Sequence, residues 1–416
     1  SSKSNFSVKN AKICKGHHSA ITHLDFTLDG KSIMSNCSSY EILYFATDSG
    51  KQLTSGASMF RDEKWATWTC VLGWPVQGVF PPCTDGTDVN AVDRNIKGDL
   101  LVSGDDFGKV NLFRYPVMPK AACQQFIGHS SHVTNVKFTR NGDYVISTGG
   151  NDKSIIQWKV DSGDNEEPDF GSDEIDDSEL IARNSNDTQL DQLTEKEDQL
   201  FEELADETGD QFMAVKPYVG DLKKSIPSDY VYQKGMENEP EGTLSVYYVH
   251  GYRCFDARNT ACFSDNSNKV VFASAALGVV LDIPSNTQSF FNLHEEDIIS
   301  FSVHPNRKIV ATGQMAQKGK SKLIDIFVWR IEDKVKLAHL VGFHIRGIQL
   351  LKFSTDGKYL LTFGQDDDNS LAIYDWELGI LMCTSKVDKT NVLDCVFMSD
   401  NQFLTSGSKH LKCWTI

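Results

Sequence analysis

The sequence predicts an all-β fold assembled from repeated, short antiparallel sheets. Seven segments share one pattern: a polar turn, an apolar strand, a small-residue turn, and a second apolar strand that mostly ends on an aromatic. Undisturbed copies recur every 39–50 residues, and helical periodicity is almost absent from them. Three or four short strands per repeat of this length is the signature of propeller blades.

The segments read GKSIMSNCSSYEILYF from Gly30, GDLLVSGDDFGKVNLF from Gly98 and GDYVISTGGNDKSIIQW from Gly142. They continue with NKVVFASAALGVVLDI from Asn268, RKIVATGQMAQKGKSKLIDIFVW from Arg307, GKYLLTFGQDDDNSLAIYDW from Gly357 and NQFLTSGSKHLKCW from Asn401. Most are preceded by a further strand-like run, such as ITHLDF at 21–26, VTNVKF at 133–138 and IQLLKF at 348–353. A chain of 416 residues is too long for one ordinary compact core, which suits two domains or one large repetitive one.

The charge is concentrated. The chain carries a formal net charge of −16, yet 161–210 holds 20 acidic residues against Arg183 and Lys196. Elsewhere 37 acidic and 39 basic residues nearly cancel. The run DSGDNEEPDFGSDEIDDSEL is polar and aperiodic, so it has too little apolar surface to fold alone. Three domains are therefore expected: blades over 1–160, an acidic and largely disordered linker over 161–243, and blades over 244–416. Within the linker, TEKEDQLFEELADE has helix-forming composition. Ser162, Ser172 and Ser178 stand beside acids as candidate kinase targets. A calcium loop fails there, because its carboxylates and central Gly are out of register.

Other classes are excluded by what is missing. No run of 18 apolar residues exists to span a membrane as a helix. None of the ten Cys forms a C-x-x-C or stands at a zinc-ligand spacing from His, so buried free thiols are expected, with no metal and no cofactor. GxSxG, phosphate-loop and HExxH motifs are absent, and Asp105-Asp106 and Asp366-Asp367-Asp368 fall at turns where Asp is favoured. No basic stripe with interleaved aromatics suggests nucleic acid. The chain reads as a non-enzyme.

One repeat, GHSSHVTNVKFTRNGDYVISTGGNDKSIIQWKV, resembles the WD40 repeat, whose His, Ser/Thr, Asp and Trp form a hydrogen-bonded network inside the blade. The matching residues are His129, Thr148, Asp152 and Trp158. A buried imidazole and carboxylate need partners, and such a network supplies them, so His129 with Asp152 is expected to be structural rather than a hydrolase pair. Gly16-His17 opens another blade whose turn, NCSSYEILYF, lacks the Asp and the Trp.

Longer stretches are more specific. SAITHLDF, SSYEILYFATDSGKQLTSG, KWATWTCVLGWPVQGVF, TDGTDVNAV and STGGNDKSIIQW resemble the echinoderm microtubule-associated protein-like (EMAP-like) family over about 15–160. HGYRCFDARNT at 250–260 resembles the hydrophobic motif that opens the propeller unit in that family, and the following blades resemble the start of that unit. The resemblance implies the end of one tandem-propeller unit followed by the start of the next, joined by an acidic linker, as at a junction within a long member. Blade counting gives a rival: seven blade cores close one ring, with 5–15 supplying the last outer strand.

The resemblance implies microtubule association, with tubulin as partner, other axonemal or cytoskeletal proteins nearby, and a cytoplasmic, cytoskeletal and ciliary location. Tubulin surfaces are acidic, so basic loops are the candidate contacts. These are Lys318, Lys320 and Lys322 in the inserted loop 317–322, and Arg61 and Lys64 flanking Trp65, Trp68 and Trp74. The three Trp are expected to pack between blades. Tyr252, Arg253, Phe255 and Asp256 belong to the hydrophobic motif, tied in the family to microtubule binding, and are expected to staple the propeller together. The alternative function is a WD40 scaffold that recruits a soluble protein without touching tubulin.

Overall fold

A computed structural model describes residues 11–80, 88–161, 218–233, 235–254, 256–258, 260–265, 267–316 and 324–416. These form seven antiparallel sheets, five of four strands and two of three, each built from strands consecutive in the chain. They divide between two compact units.

The first unit holds the described residues of Ser1–Thr87, Val117–Lys120 and Ser162–Lys234. Its sheet is β1 (Ile21–Phe26), β2 (Ser32–Cys37) and β3 (Ile42–Ala46). The Trp-rich insertion that follows carries a short helix α1 (Gly56–Met59) and a 3₁₀ turn at Trp74–Val79. Buried Asp25 on β1 anchors it, accepting hydrogen bonds from the amides of Thr69 and Cys70 and from the Thr67 hydroxyl at 2.6–3.0 Å. Trp65, Trp68 and Trp74 are buried, with Trp65 packed edge-on to Phe60 and Trp68.

Helix α2 (Tyr218–Lys224) buries Leu222 in the same unit. Downstream of it Tyr230 meets Trp74 edge-on at 4.7 Å, and the Ser228 amide donates to Asp62 at 2.6 Å. The expected linker thus ends earlier than 243: the apolar residues Tyr218, Leu222 and Tyr230 give this stretch something to bury, which the acidic run upstream lacks. The expected linker helix and Ser162, Ser172 and Ser178 lie outside the described residues.

The second unit holds the described residues of Asp88–Pro116, Ala121–Asp161 and Gly235–Ile416. Its six sheets follow in chain order. The first is β4 (Val89–Arg94), β5 (Leu100–Asp105), β6 (Lys109–Arg114) and β7 (Gln124–Ile127). Next come β8 (Val133–Phe138), β9 (Tyr144–Gly149), β10 (Ile155–Asp161) and β11 (Thr243–His250). Then β12 (Ala261–Phe263), β13 (Lys269–Ser274), β14 (Leu277–Asp282) and β15 (Thr287–Phe291) form a sheet. The fourth is β16 (Ile298–Val303), β17 (Ile309–Gln314), β18 (Ile326–Arg330) and β19 (Lys336–Leu340). The fifth is β20 (Ile348–Phe353), β21 (Tyr359–Gly364), β22 (Leu371–Asp375) and β23 (Ile380–Ser385). The last has three described strands, β24 (Val392–Ser399), β25 (Gln402–Gly407) and β26 (His410–Thr415).

The acidic segment does not divide this unit. Strand β11, which follows it, pairs antiparallel with β10, which precedes it, from Ile155 opposite His250 to Asp161 opposite Thr243. Leu244 and Val249 of β11 share one apolar cluster with Trp158 of β10, Val110 of β6 and Leu277 of β14. The packed series therefore runs across the boundary where the sequence places a domain break, because β10 would otherwise leave an unpaired edge and β11 has the alternating pattern to cover it. Of the strand expected at 5–15, residues 5–10 lie outside the described residues and 11–15 form no strand.

The blades share local chemistry. Six sheets carry a register shift near the start of their first strand, such as Val133/Asn135 in β8 and Ile348/Leu350 in β20. Gly30, Gly98 and Gly142, in the turns between first and second strands, have φ of 67–80° and open space around them, so backbone conformation alone selects glycine there.

Candidate functional site

The buried polar side chains recur at fixed strand positions. The fourth residue of the second strand is a hydroxyl in six sheets: Ser35, Ser103, Ser147, Thr312, Thr362 and Thr405. Five of these bond a His Nε2 at 2.7 Å, namely His17, His129, His294, His344 and His410 in chain order. In the β8–β11 sheet the Trp158 indole donates to Ser147 at 2.7 Å, and His129 Nδ1 lies 2.9 Å from Asp152 Oδ2. With Ser147 accepting from Trp158, its own proton points to His129 Nε2, so Nδ1 carries the proton shared with Asp152. Burial opposes the charge on Asp152, yet His129 and the amides of Ser154 and Ser130 outweigh it and hold the carboxyl below its ordinary range. Both partners are fully buried, leaving no room for a substrate, and the group acts as a clamp.

Thr148 is corrected here. The network uses Ser147, while the Thr148 hydroxyl meets Thr134 on the other face at 2.9 Å. Neighbouring strand residues point to opposite faces, so a one-residue misreading exchanges the buried hydroxyl for an exposed one.

The His17 sheet departs from this scheme. Nε2 bonds Ser35, but Phe45 stands beside the ring in place of an indole donor. Its acid is Glu41, whose Oε2 is 3.4 Å from His17 Nδ1, and Nδ1 is buried without a hydrogen bond. Cys37, the last residue of β2, donates its thiol to the same Oε2 at 3.1 Å. His18, 81% exposed at its side chain, holds Glu41 from outside through Nδ1 at 2.5 Å and its amide at 3.0 Å. Burial works against the Glu41 charge, but His18 and Cys37 outweigh it and hold the pKa at about 2. Burial and the adjacent Glu41 push the Cys37 thiol up. Ligand-type atoms of His17, Cys37 and Glu41 all lie within 4.8 Å of one another. The twenty-residue gap between His17 and Cys37 hid this cluster from a search of short Cys/His spacings.

Arg253 is 5% exposed at its side chain and forms a two-bond fork to Asp256 at 2.6 and 2.8 Å, with Asp297 as a second partner. Burial disfavours its charge, yet the two carboxylates outweigh that and raise its pKa. Asp297 also accepts from Ser130, so one carboxylate before β16 joins the loop before β8 to the loop before β12. Tyr252 is half-exposed, edge-on to Phe272, and its hydroxyl accepts from Thr260 at 3.1 Å. Phe255 lies outside the described residues, as do Lys318, Lys320 and Lys322. Arg61 and Lys64 are exposed, and Arg61 pairs with Asp62 at 3.5 Å.

A cleft of about 230 Å³ opens along the first strands β12, β16, β20 and β24, with the basic Arg258 and Lys352 and the acidic Asp394 in its lining. Cys262 on its wall is pushed up to about 12 by burial. Motif reading missed this group, whose members come from four different repeats.

Three segments of the chain match known families. Residues 2–160 match the second β-propeller of echinoderm microtubule-associated proteins, 239–279 the HELP motif, and 287–416 the first β-propeller. The chain belongs to the EMAP-like propeller family. Over 148 residues, 35% of its length, this EMAP-like chain is 50% identical to the 77 kDa echinoderm microtubule-associated protein of Lytechinus variegatus, covering 22% of that protein. It is 52% identical to echinoderm microtubule-associated protein-like 2 of Rattus norvegicus and 51% identical to echinoderm microtubule-associated protein-like 4 of Mus musculus, covering 23% and 15% of them. It thus spans less than a quarter of these relatives. The order of matches, second propeller before first, is the order that its blades follow, and the HELP match contains Tyr252, Arg253 and Asp256.

Proposed function

We propose that this EMAP-like chain is a non-enzymatic microtubule-associated propeller module that binds tubulin and decorates a cytoskeletal, ciliary or axonemal assembly. The observation that carries the reading is 50–52% identity to proteins that are themselves named microtubule-associated. The physical case is compatible with it. Loops between blade strands offer a holding surface that needs no chemistry. The basic candidates Arg61, Lys64, Lys318, Lys320 and Lys322 suit an acidic lattice, and the segment of 161–210 is repelled by it. Tyr252, Arg253, Phe255 and Asp256 act as a staple, so their loss removes binding by loosening the platform. The change between family units falls between 160 and 239, within a continuous packed unit.

The test is co-sedimentation of the full chain with stabilised microtubules at low and moderate salt. Pelleting that weakens steeply with salt, survives deletion of 161–210 and drops with Ala at Lys318, Lys320 and Lys322 supports the reading. A folded chain that stays in the supernatant at low salt overturns it. The cleft at Arg258, Lys352 and Asp394 favours a second reading, a scaffold that holds a soluble protein's peptide between blades. A Lys352→Glu variant that loses a soluble partner while still pelleting distinguishes the two.

A further inference from the structure

In three blades the last residue of the second strand lies beside the buried His or its acid. In β9 and β21 it is glycine. A Cβ at Gly149 would stand 1.7 Å from Asp152 Oδ1, and one at Gly364 only 2.4 Å from His344 Nδ1. In β17 it is Gln314, which bonds His294 Nδ1 at 2.8 Å. In β2 it is Cys37, so that sheet puts a thiol where β9 and β21 have the Asp152 carboxylate or the His344 ring crowding a glycine and β17 has an amide.

We propose that His17 Nδ1, Cys37 Sγ and a Glu41 carboxylate oxygen bind a zinc-class divalent cation, with water in the fourth position. Imidazole, thiolate and carboxylate are the donors such an ion takes, and bonds of about 2.0–2.3 Å place tetrahedral ligands roughly 3.3–3.6 Å apart. The 3.4 Å between His17 Nδ1 and Glu41 Oε2 fits that edge, and the angle there makes no hydrogen bond. His17 is independent evidence, because its side chain is 6% exposed and its Nδ1, aimed at the acid and the thiol, has no other use. Supporting contacts are in place: Ser35 fixes the His17 ring through Nε2, and His18 fixes Glu41 through Oε1. As the metal–sulfur bond forms, the Cys37 S–H proton passes to solvent, and no oxidant or reductant is involved. The ion clips the loop before β1 to the end of β2 and the residue before β3, in place of the His–acid hydrogen bond of the His129 and His410 blades.

The experiment uses the full chain, stripped with chelator and titrated with Co²⁺ as a spectroscopic stand-in, then with Zn²⁺. One equivalent of Co²⁺ is expected to give tetrahedral d–d bands and a thiolate charge-transfer band, both displaced by Zn²⁺. Cys37→Ser abolishes the charge-transfer band, and affinity falls by about a hundredfold in Cys37→Ser and tenfold or more in Glu41→Gln. Cys413→Ser, on exposed β26, leaves the spectrum intact. Circular dichroism confirms that each variant is folded. A band that persists in Cys37→Ser, or a folded wild-type chain that takes up no Co²⁺ at micromolar concentration, overturns the proposal.

Discussion

The His129 and His17 blades solve one problem in two ways. Both bury an imidazole against a hydroxyl at 2.7 Å. In the first, an Asp and an indole complete the set, and every polar atom of the ring has a partner. In the second, Glu41 reaches further out and is shared with His18 and Cys37, leaving Nδ1 unbonded. The difference teaches that the repeat specifies a place for a polar group, and that the residues filling that place decide whether the result is a sealed clamp or an open set of donors.

The largest effect expected from this contrast is on removal of the acid. Asp152→Ala strands a buried His129 and is expected to cost about 3–4 kcal/mol in urea unfolding of the metal-free chain. Glu41→Ala is expected to cost under about 1 kcal/mol under the same conditions, since its hydrogen bonds go to exposed His18 and a thiol and none reaches the buried His17. Equal costs would erase the distinction between the blades. Next, Trp158→Phe removes the indole donor and some packing, for an expected loss of about 2 kcal/mol.

A pH scan sharpens the comparison further. Burial lowers His294 and His344 from the ordinary 6.5 to about 4, so the unfolded chain takes up their protons first. Their contribution is whole above pH 6.5 and is lost as pH falls towards 4. Between pH 7 and 5 each should cost about 1–2 kcal/mol, read from urea midpoints, and His344→Gln should flatten the curve. A stability that rises on acidification over that window would contradict the burial of neutral imidazoles. The smallest effect is expected at Thr148→Val, under about 0.5 kcal/mol, against roughly 1–2 kcal/mol for Ser147→Ala; the reverse ranking would restore the discarded register.

Most of the architecture was legible because the blade period, the Gly turns and the apolar alternation are local signals. Gly98, Gly142 and Gly357 mark turns that occur where their sequence places them. What the sequence hid depends on register or on distance. Ser147 and Thr148 are equally plausible until one knows which face β9 buries. Asp25 gives no hint that it will hold an insertion more than forty residues on. The cleft residues Arg258, Lys352 and Asp394 are individually ordinary and meet only because four first strands lie side by side. Net charge located the acidic segment, but composition could not show that the strand after it belongs to the sheet before it.

That last pairing has a consequence for synthesis. Strand β10 ends at Asp161, and its partner β11 ends at His250, so 89 residues must be made before the sheet is complete. At about 5–20 residues per second, the outer edge of β10 waits roughly 5–20 s on the ribosome with its backbone groups unpaired. A nascent chain carrying an open edge is a template for neighbouring chains on the same polysome. The 20 acidic residues between 161 and 210 emerge immediately behind that edge, during the interval when it is most exposed. Like charge on adjacent nascent chains is expected to hold them apart while that edge is open. On this view the segment's charge serves the protein before folding is finished, whatever it does afterwards.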